Sequence, residues 1–215
     1  MKRNKSRAAF SLLELIILVG IIGVIAMVLL PALARRGNHG KQPRIKCVNN
    51  LKNVGLAYRI YATDNNNHFP AWSMSSNAVS LSSIKITEIF QSLSNELSTP
   101  KLLICPVDSK RVEAKSFRNL TIKNISYFAS LSADEGRFSV ILGGDRNLQL
   151  NGKLAAGLVP LTTNMAVSWS KEIHNEQGNV VMSDGSVPQK SNNGNMSLKQ
   201  AIGDQGIATN NVIFP

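Results

Sequence analysis

The sequence predicts an α+β fold, in which a long N-terminal helix, apolar at first and then amphipathic, packs against a small antiparallel sheet. Three observations favour this class. Residues 10–34 form one apolar run, residues 47–61 repeat apolar side chains at helical spacing, and short apolar runs beyond residue 102 are separated by Gly, Asn and Asp. At 215 residues the chain has room for one globular domain and an appendage.

The first element is an apolar helix over residues 10–34. These 25 residues contain a single charged side chain, that of Glu14. As a helix they would measure roughly 37 Å, which exceeds a hydrocarbon core of about 30 Å. A cleaved signal peptide is the alternative, because Ala32 and Ala34 have the spacing of a cleavage site. The apolar region of a signal peptide is, however, shorter than this run. We predict a single membrane span; basic residues flank it on both sides, so they give no orientation.

The net charge of +11 is concentrated around this apolar run. Residues 1–60 contain 11 Lys and Arg against Glu14 alone, whereas residues 61–215 contain 13 Lys and Arg against 12 acidic residues. A protein dedicated to nucleic-acid recognition carries a basic surface on its folded body. The nearly neutral body therefore argues against nucleic acid as a partner.

An amphipathic helix follows in the segment “IKCVNNLKNVGLAYRIYATDNNNHFP”. Its apolar side chains recur every three or four residues and so share one helical face. They are Cys47, Leu51, Val54, Tyr58 and Tyr61. Pro43, with Gly37 and Gly40 before it, predicts a kink or a short unwound stretch between the two helices. The turn residues at 64–70 end the helix.

The remainder of the chain predicts a loop, a short helix and strands. Residues 73–83 are rich in serine and predict a loop, and the apolar spacing over residues 86–97 predicts a helix that ends before Pro100. The runs “LLIC”, “ISYFASL”, “FSVILGG” and “GNVVMSDGSV” predict strands. Within the last run, Asp184 and Gly185 predict a tight hairpin turn with positive φ. Residues 191–206 predict a loop with a helical turn near residues 197–202.

Cys47 and Cys105 are the two cysteines, and they allow one intrachain disulfide. In an oxidising compartment this bridge would close a long loop and contribute roughly 4 kcal/mol in the chain-entropy model. Two buried free thiols are the alternative. We expect no transition-metal site, because neither cysteine has a CxxC or a nearby CxH companion.

The N-terminal landmarks resemble the type IV prepilin signature. A short basic leader, a small residue, the string “FSLLEL” and an apolar run with Pro31 near its end keep the spacing of that family. The resemblance implies that a membrane-embedded prepilin peptidase cuts between Ala9, where the family prefers Gly, and Phe10. It also implies methylation of the new N-terminal amine of Phe10, and assembly roles for Glu14 and Pro31.

Four later segments resemble a planctomycete and verrucomicrobial group of pilin-like proteins, often described as type II secretion pseudopilins. They are “IKCVNNLKNVGLAYRIYATDNNNHFP”, “LLICPVDS”, “GGDRN”, and His174 followed after nine residues by Asp184 and Gly185. The resemblance implies a pilin-like fold. The expected organisation is a leader at 1–9, a transmembrane and assembly helix at 10–34, its amphipathic continuation at 35–64, and a periplasmic globular domain at 65–215.

Under this resemblance Glu14 has a physical purpose. An ionised carboxylate in hydrocarbon costs about 3 kcal/mol or more. The amine of Phe10 on a neighbouring subunit would lie at the same membrane depth and offset that cost, so we expect Glu14 to guide subunits into a filament. The alternative is that the carboxylate of Glu14 reaches the cytoplasmic interface of the membrane and has no role in assembly. Pro31 would kink or locally stretch the helix, or mark its exit from the membrane.

The expected function is that of a structural subunit of a type II secretion pseudopilus or a type IV pilus-like filament, built from this chain alone or with other pilins. The chain would cross the bacterial inner membrane once, with its C-terminal domain in the periplasm. The implied partners are the prepilin peptidase and the inner-membrane assembly platform. A pilin-like adhesin, a DNA-uptake subunit and an anchored protein that never assembles are the alternatives.

We expect no enzymatic activity and no cofactor. His174, with Asp184 and a nearby Ser183 or Ser186, contains the residue types of a catalytic triad. The sequence has no GxSxG motif, however, and the hairpin turn already accounts for Asp184. We therefore expect His174 to make a structural hydrogen bond.

Calcium is the alternative to this expectation of no cofactor. The candidate oxygen ligands are Asp64, Asp145 and Asp184. The asparagines that follow Asp64 lack the glycine and the distant glutamate of an EF-hand loop. Solvated turn residues are therefore the competing interpretation.

Overall fold

The computed structural model describes residues 12–34, 42–75, 80–134, 136, 139–192, 198–204 and 207–215. The chain divides into two compact units, residues 1–39 and residues 40–215. Together they form an α+β protein with an N-terminal apolar helix and antiparallel sheets. The predicted fold class is confirmed at this level.

The first unit contains helix α1 (Leu12–Ala34). Its window from Leu12 to Leu29 is 0% buried, and it is long and apolar enough to cross a membrane. Glu14 lies exposed in the first described turn, and Pro31 lies in the last turn. The structure therefore confirms an N-terminal helix with the length and composition of a membrane span.

In its described residues the second unit contains five α-helices and several 3₁₀ turns. The helices are α2 (Gln42–Asp64), α3 (Pro70–Ser75), α4 (Ile86–Ser92), α5 (Ser94–Leu97) and α6 (Leu198–Gly203), and the 3₁₀ turns cover Leu81–Ser83, Pro100–Leu103, Phe117–Asn119 and Ile122–Asn124. The predicted helix over residues 86–97 is thus present as the pair α4 and α5. The predicted helical turn near residues 197–202 is present as α6.

Helix α2 buries the face that the apolar spacing predicted. Cys47, Leu51, Val54 and Tyr58 are each at most 2% exposed. Pro43 lies in the first turn of α2, where a missing backbone N–H costs no helical hydrogen bond. The predicted kink or unwound stretch therefore does not occur at Pro43 itself, and residues 35–41 lie outside the described residues.

Nine strands form two antiparallel sheets in the described residues. They are β1 (Tyr127–Ser130), β2 (Ile141–Asp145), β3 (Leu148–Leu150), β4 (Lys153–Leu154), β5 (Gly157–Leu161), β6 (Val167–Trp169), β7 (Gln177–Met182), β8 (Gln189–Ser191) and β9 (Asn210–Phe214). The larger sheet has the order β5-β9-β1-β2-β7-β8, and the smaller sheet has the order β4-β3-β6. The sequence predicted one small sheet, and that prediction missed the second.

The larger sheet separates two apolar cores because successive side chains of a strand point to opposite faces. On one face Tyr127, Leu142 and Val181 pack with α2, α4 and α5. On the other face Phe128 and Val180 pack with Trp169 of the smaller sheet and with α6. The central strands are covered on both faces, which explains why they are apolar without alternation.

Two local predictions are wrong. The run “LLIC” was predicted to be a strand, but Pro100–Leu103 forms a 3₁₀ turn in which the N–H of Lys101 donates to the hydroxyl of Thr99. Residues 73–83 were predicted to be a loop, but residues 73–75 belong to α3, which begins at Pro70. In both cases a proline starts a helical turn, because its fixed φ suits the first position.

Candidate functional site

Four buried side chains from distant parts of the sequence meet in the second unit. Ligand-type atoms of Cys47, Cys105, Asp145 and His174 all lie within 4.8 Å of one another. The first three residues are 0% exposed and His174 is 6% exposed. Each of the four segments that resemble the pilin-like group contributes one of them, and we call them the Cys–Asp–His cluster.

The contacts within the Cys–Asp–His cluster are direct. The Sγ of Cys47 lies 3.2 Å from Oδ1 of Asp145, and the Sγ of Cys105 lies 3.3 Å from Nε2 of His174. Nε2 of His174 is also 3.6 Å from Oδ2 of Asp145. The hydroxyl of Tyr127 lies 3.5 Å from the Sγ of Cys47 and closes the cluster on that side.

Asn179 on β7 orients the carboxylate of Asp145. Its backbone N–H and its side-chain Nδ2 both donate to Oδ2 of Asp145, at 2.7 and 2.8 Å. The same Nδ2 lies 3.8 Å from the Sγ of Cys47. Oδ1 of Asn179 is buried and has no hydrogen-bond partner among the described residues. The amide is therefore turned toward the cluster at the expense of its own oxygen.

The loop between β6 and β7 presents His174 in an uncommon conformation. His174, Asn175 and Glu176 have φ angles of 57°, 52° and 62°, in the left-handed region. Such residues cost of order 1 kcal/mol or more each and need support from their surroundings. Nδ2 of Asn147 supplies it by donating to the carbonyls of Ser170, Ile173 and Gln177 at 3.0, 2.8 and 3.2 Å.

A buried ion pair fixes the loop that carries Cys105. Nε and Nη2 of Arg146 donate to the two carboxylate oxygens of Asp108 at 2.7 and 2.6 Å, and Nη1 donates to Glu172 at 3.0 Å. Asp108 lies three residues after Cys105, and Arg146 follows Asp145. One guanidinium thus ties the Cys105 loop, the end of β2 and the His174 loop together.

Burial shifts the pKa values of Cys47, Asp145 and His174 in the directions that favour their neutral forms. It raises the pKa of the Cys47 thiol, and it raises the pKa of Asp145 to about 6 despite the opposing hydrogen bonds from Asn179. Burial and the nearby charge of Arg44 lower the pKa of His174 to about 4. Both shifts oppose the doubly charged state that an ion pair across the 3.6 Å contact of Asp145 and His174 would need.

Both cysteines are free thiols. Of the two alternatives that the sequence left open, the structure contains the buried thiols and not the disulfide. No local pattern indicates that the thiols meet Asp145 and His174, because the four residues are far apart along the chain.

Asp184 and Gly185 form the predicted hairpin turn between β7 and β8. The N–H of Gly185 donates to the carbonyl of Met182 at 2.9 Å, and Gly185 has φ of 83°. Asp184 is exposed, and its Oδ1 accepts from the N–H of Ser186 at 2.8 Å. The carboxylate beside His174 is that of Asp145. Asp184 is therefore not the partner that a catalytic triad with His174 would need.

The three aspartates considered as calcium ligands do not converge. Asp64 is exposed at the end of α2, Asp184 is exposed in the hairpin turn, and Asp145 is buried in the Cys–Asp–His cluster. Among the described residues, the one group of metal-ligating side chains contains Asp145 without the other two. After Asp64, the N–H of Asn67 donates to the carbonyl of Ala62 at 2.8 Å, and these turn residues cap the helix.

Sequence reasoning missed the supporting residues of the cluster. These are Asp108, Arg146, Asn147 and Asn179, all of which are buried. Their positions in the sequence could have indicated a polar network, because each is a charged or amide residue close to an apolar strand or a cysteine. Buried polar groups of this kind are paired in folded proteins, so they mark a network even where the partner is unknown.

The residues of the predicted maturation site fall in the first unit. Ala9 and Phe10 lie outside the described residues. Comparison of the chain with models of known protein families, with curated proteins and with solved structures finds no significant match.

Proposed function

We propose that the chain is a pilin-like structural subunit of a type II secretion pseudopilus or a type IV pilus-like filament, and not an enzyme. The observation that carries this proposal is α1, an apolar helix that is 0% buried over Leu12–Leu29 and has one carboxylate, Glu14, in its first described turn. The same chain continues into a folded α+β unit. A filament subunit needs both parts, one to polymerise and one to form the outer surface.

An apolar helix of this length needs cover from lipid or from other helices. In a membrane, lipid chains cover the side chains while the helix satisfies its own backbone hydrogen bonds. In a filament, copies of the same helix would replace the lipid by packing against one another. A subunit that moves from membrane to filament would therefore keep α1 covered throughout.

Glu14 is the residue that distinguishes an assembling helix from a simple anchor. Its ionised form costs about 3 kcal/mol or more in hydrocarbon. Cleavage before Phe10 would create an amine at a similar depth on the neighbouring subunit, and a charge pair between the two would set the axial register of the helices. A plain anchor gains nothing from an acid at this position.

The outward face of α2 offers a second contact for a neighbouring copy. Ile45, Leu56 and Ile60 are 58%, 56% and 41% exposed. They are eleven and four residues apart, which places them on one stripe of the helix. Their exposure on one face of the helix supports the filament proposal, because apolar side chains that share a face can pack against a second copy.

In this proposal the protein crosses the bacterial inner membrane once and its second unit lies in the periplasm. The prepilin peptidase and its methylating activity process it, and the inner-membrane platform assembles it. The chain is then a substrate of enzymes and has no catalytic residue of its own.

Replacement of Glu14 by Leu tests the proposal. In the E14L variant the N-terminal amine of the neighbouring subunit would have no carboxylate to pair with, so the variant should form at least about tenfold fewer filaments in sheared-cell fractions. Glu14→Asp, which keeps a carboxylate, is the matched control and should retain more assembly. Both variants must reach the membrane at the level of the unchanged chain. Filament formation by E14L at the normal rate would contradict the proposal.

A further inference from the structure

We propose that Cys47, Cys105, Asp145 and His174 bind one metal ion of the zinc class as a closed structural site. This departs from the expectation of no transition-metal site, which was drawn from cysteine spacing alone. It is independent of filament assembly, because all four residues lie in the second unit.

The distances in the Cys–Asp–His cluster suit a four-coordinate ion. Zinc binds sulfur at about 2.3 Å and nitrogen or oxygen at about 2.0–2.2 Å, so the ligand atoms of a tetrahedral site lie roughly 3.3–3.8 Å apart. The Sγ of Cys47 lies 3.2 Å from Oδ1 of Asp145, and the Sγ of Cys105 lies 3.3 Å from Nε2 of His174. Nε2 of His174 is 3.6 Å from Oδ2, the other carboxylate oxygen of Asp145. The remaining pairs are within 4.8 Å.

The identity of the ligands selects the metal class. Two thiolates with an imidazole favour zinc and other soft or borderline ions over calcium and magnesium, which prefer sets of oxygen ligands. The site is also closed, since none of the four side chains is exposed beyond 6%. Structural zinc sites are closed in this way, whereas catalytic sites keep one position open to water or substrate.

Residues around the cluster have the arrangement of outer-shell partners. Asn179 holds Oδ2 of Asp145 through two hydrogen bonds, which leaves Oδ1, the oxygen near Cys47, directed at the cluster. The buried Oδ1 of Asn179 without a partner is the cost of that orientation. Hydrogen bonds that orient ligating carboxylates are a regular feature of metal sites.

A metal site would explain the left-handed backbone conformation of the loop at His174. Three consecutive residues in the left-handed region, held by Asn147, place the imidazole 3.3 Å from the sulfur of Cys105. Strain of this kind persists where the surrounding structure requires one geometry, and it concentrates at functional sites. A histidine that served only to fill space would not need it.

Metal binding would also resolve the burial of four polar groups. Two thiols, a carboxyl group and an imidazole are removed from water at this place, and one ion would give all four a common partner. The ion would displace the protons of the two thiols to solvent and bind the thiolates, the carboxylate and the neutral imidazole. The three anionic ligands would then face a divalent cation. Binding free energy of such sites adds to folding free energy, so the ion would stabilise the second unit.

The test uses the full chain, extracted in detergent and purified without reductant. Elemental analysis after equilibration with Zn²⁺ should find one zinc per chain. Co²⁺ in place of zinc should give visible d–d bands of a tetrahedral ion together with thiolate charge-transfer bands. Zn²⁺ should raise the melting temperature of the chain, because an ion that binds only the folded state stabilises it, and Ca²⁺ should leave it unchanged.

Variants locate the site. Cys105→Ser and His174→Gln should weaken zinc binding by more than about 100-fold in a chelator competition, which exceeds the roughly 10- to 100-fold loss typical of outer-shell partners. Asn179→Ala should fall within that outer-shell range. The matched control is His68→Gln, which removes a histidine that lies outside the cluster and stacks on Trp72, and it should bind zinc as the unchanged chain does.

Three results would overturn the proposal. The first is a chain that binds no zinc although alkylation after denaturation shows both thiols to be free. The second is a purified chain in which Cys47 and Cys105 resist alkylation because they form a disulfide. The third is unchanged Co²⁺ spectra in the His174→Gln variant. The spectra and the melting shift of the unchanged chain keep the test decisive if a variant fails to fold.

Discussion

Asp108 and Arg146 form the most buried ion pair of the described residues. Their side chains are 1% and 7% exposed, and two hydrogen bonds join them. Burial alone would raise the pKa of Asp108, but the hydrogen bonds and charge of Arg146 outweigh it and hold the pKa below the ordinary value. The carboxylate is therefore ionised throughout the neutral and mildly acidic range.

Asp108→Asn should destabilise the folded chain by about 3 kcal/mol, because a buried guanidinium that loses its carboxylate costs roughly 3–5 kcal/mol and Glu172 compensates for part of the loss. Denaturant unfolding of the second unit measures this. Glu113→Gln is the matched control, since Glu113 pairs with Lys101 at 3.5 Å with both side chains more than half exposed. It should cost at most about 1 kcal/mol.

The same pair predicts a pH dependence. A carboxyl group whose pKa is lowered by folding stabilises the native state fully above its unfolded pKa of about 3.9, and this contribution is lost as the pH falls through the folded value. The stability difference between the unchanged chain and Asp108→Asn should therefore shrink below about pH 4. A difference that stays constant down to pH 2 would show that the ion pair does not act through this ionisation.

At the scale of elements, strand β2 is packed too tightly for side chains at its glycines. A Cβ atom on Gly144 would lie 2.6 Å from the backbone oxygen of Asn179 and 2.8 Å from Cε1 of Phe128. The first of these atoms belongs to the neighbouring strand β7, so it moves only if the sheet moves. The close approach keeps Asp145 and Asn179 within hydrogen-bond distance.

Gly144→Ala should therefore destabilise the second unit by roughly 1–3 kcal/mol, as overpacking of a core does. Thermal unfolding of the full chain measures the effect. Gly203→Ala is the control, because its Cβ would meet the nearest atom, Cγ2 of Thr163, at an ordinary 3.8 Å. Equal stability of the two variants would show that the contact between β2 and β7 is looser than the structure has it.

Most of the correct predictions of helices were based on the spacing of apolar residues. The apolar face of α2 was readable because its spacing continues for several turns and the buried residues are apolar. The strand prediction for the run “LLIC” was wrong because a run this short has no periodicity to distinguish a strand from a turn. Prolines on both sides of the run favour a turn. Strands β3, β4 and β6 contain two or three residues each, which is too short for an alternating pattern to be recognised.

The Cys–Asp–His cluster could not be predicted, for a topological reason. Its members come from α2, from the loop after the 3₁₀ turn at Pro100–Leu103, from the end of β2 and from a loop before β7, and the order of strands in the sheet brings them together. Local spacing contains no information about that order. The hydrogen bond from Asn50 on α2 to the carbonyl of Ile104, at 2.8 Å, illustrates the same long-range pairing.

The two units of the chain differ in whether their apolar side chains are buried. The second unit buries its apolar side chains in two cores, whereas the described helix of the first unit leaves them exposed. The filament proposal assigns the first unit to polymerisation and the second, apart from the apolar stripe of α2, to the filament surface. That assignment depends on the chain being processed at the junction before Phe10.

The intact mass of the protein extracted from its own cell membranes tests this most directly. The proposal predicts the mass of a chain that begins at Phe10, lacks residues 1–9 and carries one added methyl group. A substitution at Ala9 to a bulky residue should block both changes, because the peptidase accepts a small residue there in the family that the leader resembles. A mass that still includes Met1 and the intact leader would contradict the account, since no amine would then exist beside Glu14 to direct assembly.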